Sequence, residues 1–166
     1  MKKLLYLAIA LLCIVLLEGC GKPALPTDLT INPGDRIGDF LITTGGADAS
    51  HLTPFDCKQE TTAKETCTVS LSRKINVSWG IYDDTRSGKL DELWLGHTYA
   101  MLIEGRPFNL RAYGPIDVYH PTVGTMRKWN VVIVADKPGQ ITIHHSLVVA
   151  GEPSEETLIL VFIAPR

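Results

Sequence analysis

The sequence has no block of basic residues, no C-x-x-C pair, no G-x-S-x-G or S-x-x-K motif, and no histidines two or four positions apart. Each absence removes a class of function. Nucleic acid and anionic lipid lack the basic footprint they need on a protein surface. The whole chain carries a net charge of −2. Without residues 1–19, which hold Lys2, Lys3 and Glu18, there remain 14 basic and 17 acidic residues, a net −3. Nucleophilic catalysis has no serine signature, and a thioredoxin-like redox pair has no motif. Paired carboxylates occur only in the turn Asp83–Glu92, whose charge density opposes the raised pKa that acid catalysis needs. An enzyme is therefore not expected. Helical periodicity with caps is also missing, apart from one helical turn at Leu90–Trp94.

What is present begins with an address. Met1-Lys2-Lys3 is a short positive segment, and Leu4–Leu17 is an unbroken apolar run of 14 residues. That length suits the hydrophobic region of a signal peptide and falls short of the roughly 20 residues of a membrane span. Leu17-Glu18-Gly19-Cys20 resembles the lipobox of bacterial lipoproteins, with Glu18 standing where a small uncharged residue is usual. The resemblance implies cleavage before Cys20 and lipidation of its thiol. An uncleaved N-terminal anchor is the alternative, and either places the body in the cell envelope, on the extracytoplasmic face of a membrane. Several acyl chains, at about 0.8 kcal/mol per buried methylene, would hold the protein at that membrane. The expected organisation is a signal peptide over 1–19, a lipidated Cys20 with a proline-rich tether over 20–34, and one domain over 35–166.

Of four cysteines, Cys13 leaves with the signal peptide and Cys20 takes the lipid. Cys57 and Cys67 remain as an even pair in an oxidising compartment and predict a disulfide across a short polar loop. A hydrophobic fraction of 45% with 20% charged residues is ordinary for a globular domain.

From Asp35 onward short β runs alternate with turn residues. Ile37–Thr43 reads as a first strand. Over Cys67–Tyr82, Val69, Leu71, Ile75, Val77, Trp79 and Ile81 share one parity, with a break expected near Arg73-Lys74. Thr98–Ile103 and Pro107–Tyr113 flank a hairpin turn at Glu104-Gly105-Arg106. Trp129–Ala135 reads as a nearly continuous apolar strand, Asp136–Gly139 as a turn, and Gln140–Val149 and Thr157–Ile163 as the last strands. Seven to eight strands at these spacings predict an all-β, antiparallel β-sandwich. The stretch from Trp129 to Ile163 resembles the last three strands of secreted immunoglobulin-like domains. That likeness implies an immunoglobulin-like sandwich and nothing about activity.

Two site candidates follow. Asp83, Thr85, Ser87 and Asp91, with a turn at Gly88, fall at positions 1, 3, 5 and 9 of a calcium-loop template of hard oxygen donors. Position 12 is Trp94 where a bidentate Glu is usual, and a solvated acidic turn is the competing reading. Calcium is thus the one candidate cofactor on this loop; otherwise none is expected. Three of the five histidines (His51, His97, His120, His144 and His145) could converge on zinc or copper, although His144 and His145, adjacent on one strand, must face opposite ways. The second candidate is a binding face. Trp94, His97 and Tyr119, on the segment from Asp83 to His97 and the Pro115–Pro121 connection, offer aromatic surface for a protein or carbohydrate partner. The function expected is a non-catalytic binding or interaction module. A metal-dependent secreted protein and a purely structural envelope protein are the alternatives.

Overall fold

The computed structural model describes residues 30–45, 56–83, 88–120 and 124–165. The signal segment, the lipobox with Cys20, and Thr85 and Ser87 lie outside the described residues. The described chain is mostly β, with one short α-helix. No described helix is long and apolar enough to cross a membrane.

Turn chemistry divides the strands more finely than hydrophobic alternation predicts. The expected strand at Ile37–Thr43 is instead a tight hairpin of β1 (Arg36–Ile37) and β2 (Phe40–Thr43), reversing at Gly38-Asp39. The two cysteines face each other across a second hairpin, β3 (Asp56–Thr61) and β4 (Lys64–Ser70), as directly opposed residues. Their sulfurs are 2.07 Å apart, at bonding distance, so the expected pairing is met and the polar loop is itself strand. The run after Cys67 does break at Arg73-Lys74, giving β5 (Ile75–Asn76) and β6 (Gly80–Asp83). The helical turn becomes α1 (Leu90–Gly96).

β7 (Thr98–Ile103) and β8 (Arg106–Pro107) close on Glu104-Gly105, both at positive φ (48° and 74°), which matches the right-handed twist of paired strands. Beyond Pro107 the expected strand gives way to a 3-10 turn at Leu110–Ala112. β9 (Pro115–His120) and β10 (Gly124–Trp129) form the next hairpin. The expected continuous strand at Trp129–Ala135 breaks at Asn130, whose N–H is drawn to the Gly114 carbonyl (2.8 Å). The chain then changes sheet and resumes as β11 (Val132–Ala135). β12 (Gly139–Val149) and β13 (Glu152–Ile163) make the longest hairpin.

Among the described residues the strands form three sheets, in the orders β1-β2-β11-β5, β6-β10-β9 and β3-β4-β13-β12-β7-β8. The last is mixed: β13 pairs antiparallel with β12 but parallel with β4, which departs from the all-antiparallel expectation. Alternation along a strand fixes which face is buried, not the direction of the neighbour.

One hydrophobic cluster joins the four- and six-stranded sheets. Phe40, Ile42, Ile133 and Ala135 come from the first, and Val69, Ile103, Ile141, Ile143, Leu160 and Phe162 from the second. The rings of Phe40 and Phe162 meet at 5.7 Å across it. Ile31, within the expected tether, is wholly buried in the same cluster, and its N–H donates to the Pro107 carbonyl (2.8 Å). The packed domain thus reaches at least as far back as Ile31.

Candidate functional site

The three-stranded sheet carries α1 on one face, held by polar contacts and by the Trp94–Trp129 ring contact. No residue of α1 is buried. Asp83, buried at the end of β6, accepts the backbone N–H of Gly88 (2.9 Å) and of Lys89 (3.3 Å) through Oδ2, fixing the approach to the helix. Arg127 of β10 then ties the helix down. Its Nε and Nη2 donate to both oxygens of Asp117 (2.7 and 2.8 Å), and its Nη1 donates to Asp91 on α1. These hydrogen bonds hold the Asp117 carboxyl below the usual carboxylate range, and Asp117 first, then Asp91, raise the Arg127 guanidinium above its ordinary value.

At the end of α1 the Trp94 ring lies 5.0 Å from the Trp129 ring and 4.4 Å from that of His97. His97 Nδ1 sits against the Trp94 carbonyl oxygen. A carbonyl only accepts, so Nδ1 carries the proton and a neutral His97 presents Nε2 as a bare acceptor. A cleft of about 540 Å³ opens here, lined among others by Trp94, His97, Tyr99, Phe108, Arg111 and Trp129. The Trp129 indole N–H is buried and has no partner among the described residues.

The expected binding face is therefore assembled only in part. Trp94 and His97 line the cleft together. Tyr119 does not: it stands opposite Thr125 on β9, 64% exposed, away from the cleft. Trp129 and Arg111 complete the cleft and carry no local sequence signal for that role.

Two oxygen donors of the calcium template, Asp83 and Asp91, have other partners in this structure. Asp83 Oδ2 accepts backbone N–H groups, and Asp91 faces Arg127. Among the described residues, the one group of three potential metal ligands is Cys57, Glu65 and Cys67, whose two sulfurs are at bonding distance to each other. The histidines are dispersed. His144 is exposed, with Nδ1 2.9 Å from the Thr157 hydroxyl, whereas its neighbour His145 is buried, the opposite facing that strand geometry requires. His51 and the side chain of His120 lie outside the described residues.

A buried polar stack also went unread in the sequence. The Trp79 and His145 rings stack at 4.9 Å and 6°. The Tyr99 hydroxyl accepts the Trp79 backbone N–H (3.1 Å) and lies 2.7 Å from His145 Nδ1. The neutral ring can accept from that hydroxyl at Nδ1, and its buried Nε2 has no partner among the described residues. Burial, with a smaller effect from His144, pushes His145 down to about 3, and burial likewise raises the Tyr99 phenol. Glu156, opposite His145, is raised by burial and by nearby Glu65. Lys128, buried on the other face of β10, is lowered by burial. The only hint in sequence was the parity that pointed Trp79 inward.

No protein-family model matches the chain, and no curated protein is similar to it. The site must be read from its own chemistry. Two indole rings, an imidazole and a guanidinium line one open cleft.

Proposed function

We propose that the protein is a membrane-anchored, extracytoplasmic lipoprotein whose domain, an immunoglobulin-like β-sandwich, is a non-catalytic binding module using the cleft beside Trp94. The observation that carries the binding reading is the contact of Trp94 with both Trp129 and His97 at the mouth of that cleft. Aromatic rings packed beside open space are the usual anchors of recognition sites, because they give large contact area at little entropic cost. The sandwich reading draws on the single core shared by the four- and six-stranded sheets. The anchor reading draws on the lipobox at Leu17–Cys20 and on a cysteine pair at bonding distance, as an oxidising compartment favours.

Two experiments test it. Residues 22–166 are titrated against a panel of oligosaccharides and peptides, with indole emission as the readout, beside Trp94→Ala. Binding that Trp94→Ala abolishes, with its melting temperature kept within a few degrees, supports the cleft; a panel without any response, or binding indifferent to Trp94, counts against it. In the whole chain Cys20→Ala should move the protein from the membrane to the soluble fraction. Retention of the variant at the membrane would refute the lipid anchor.

A further inference from the structure

We propose that the cleft beside Trp94 takes an acidic saccharide, a sugar ring bearing a carboxylate. The proposal rests on the cleft being the binding site and adds the class of its ligand. Three observations carry it, each from a different group.

The first is charge. The sequence after residue 19 is acidic by three charges, yet among the described residues lining the cleft none is acidic. Arg111, in the exposed 3-10 turn, is the one permanently charged side chain there. Among the described residues no carboxylate pairs with it, whereas Arg36 and Arg127 are both held by aspartates. A guanidinium offers planar, paired donors that match a carboxylate, and charge-assisted hydrogen bonds are the stronger kind. An acid-free cleft with a free arginine on an acidic domain selects an anion.

The second is stacking surface. Trp94 and Trp129 are half-buried and both line the cleft, with ring planes 48° apart. Indole faces of this kind pack against the apolar C–H face of a sugar ring. A small inorganic anion would leave that surface unused.

The third is the acceptor. His97 Nδ1 can only donate to the Trp94 carbonyl it faces, which in the neutral form of the ring leaves Nε2 to accept a hydrogen bond. Asn109, whose amide nitrogen donates to Asn32 Oδ1 (3.2 Å), also lines the cleft and carries an acceptor oxygen. Hydroxyl groups supply the donors that these acceptors need. A donor for a carboxylate, acceptors for hydroxyls and a face for C–H groups together describe a uronic acid better than a fatty acid, which has no hydroxyls, or a neutral sugar, which has no charge.

The test uses α-1,4-linked trigalacturonate, its methyl ester and maltotriose, followed by indole emission of residues 22–166. The ester keeps the rings and hydroxyls and removes only the charge. The expected result is that the acid binds at least about tenfold more tightly than the ester. Arg111→Gln should erase that preference, Arg111→Lys should keep part of it, and added salt should weaken the acid alone. Arg111 is exposed, so both variants should melt with the parent. Equal binding of the acid and the ester, or of maltotriose, would overturn the charge argument while leaving the cleft a binding site. Silence with all three saccharides overturns the acidic-saccharide inference, and the wider panel with Trp94→Ala then judges the cleft separately.

Discussion

The β12–β13 hairpin and α1 are held in opposite ways. Ile141, Ile143, Leu160 and Phe162 of the hairpin are fully or almost fully buried against the four-stranded sheet. α1 buries no residue, exposes Leu95 at 84%, and is held by the Asp91–Arg127 pair, the Asp83 hydrogen bonds at its approach and the Trp94–Trp129 ring contact. Burial of apolar surface is strong and non-directional, while exposed ion pairs contribute little and are screened by salt. The hairpin should therefore open only with the whole domain, and α1 should open locally at much lower cost. The cleft lies on the α1 side of this contrast: α1, β7, the 3-10 turn and Trp129 line it, and no residue of the hairpin is among them.

The largest effect should come from the hairpin. Phe162→Ala removes a ring that is 1% exposed and tilted against Phe40 at 5.7 Å, and should cost about 3–5 kcal/mol in urea unfolding. Leu95→Ala on α1 should stay within about 0.5 kcal/mol. Similar costs for the two would break the contrast.

Acid probes the buried stack next. The His145 ring is lowered in the folded state to about 3, so the unfolded chain takes up the proton first. Its contribution is fully present above the unfolded value near 6.5 and is lost as pH falls toward 3, by about 4 kcal/mol at the lower limit. Glu156 acts with the opposite sign, since a raised carboxyl favours the folded state as pH falls. The difference between the parent and His145→Leu over this range isolates the histidine. A flat difference would mean that His145 titrates normally.

Reducing Cys57–Cys67 should cost about 2–3 kcal/mol, because it frees a closed loop ten residues long in the unfolded chain. Chemical denaturation with and without reductant measures it, and no change would mean the hairpin register alone holds β3. The smallest effect should be at Arg127→Ala. About 1 kcal/mol is expected in stability, together with faster amide exchange in α1 and weaker ligand binding, while exchange in β12 stays as before. Equal loosening of both regions would show that α1 is not an independent unit.

These contrasts also explain what could be read from the sequence. Local patterns were legible: the parity of Val69, Ile75 and Val77, the opposite facing of His144 and His145, and the turn at Glu104-Gly105. Each depends on residues within a few positions of one another. The parallel pairing of Thr157–Ile163 with Lys64–Ser70 was not legible, because it joins segments about ninety residues apart and strand periodicity carries no direction. The break at Asn130 depends on a carbonyl at Gly114, and the stack of Tyr99 on His145 spans 46 positions. At the cleft, Trp94 and His97 share one local segment and were found together. Trp129 and Arg111 arrive from other parts of the chain, and Tyr119 lies outside the cleft lining, a position that aromatic density does not reveal because it carries no strand register.

The most direct test of the whole account is hydrogen exchange of residues 22–166 with and without trigalacturonate. The account predicts fast exchange across 90–97 in the free protein, slow exchange in β12 and β13, and ligand protection confined to 90–97 and 108–111. Protection spread over the β core, or an α1 already as slow as β12 in the free protein, would contradict it.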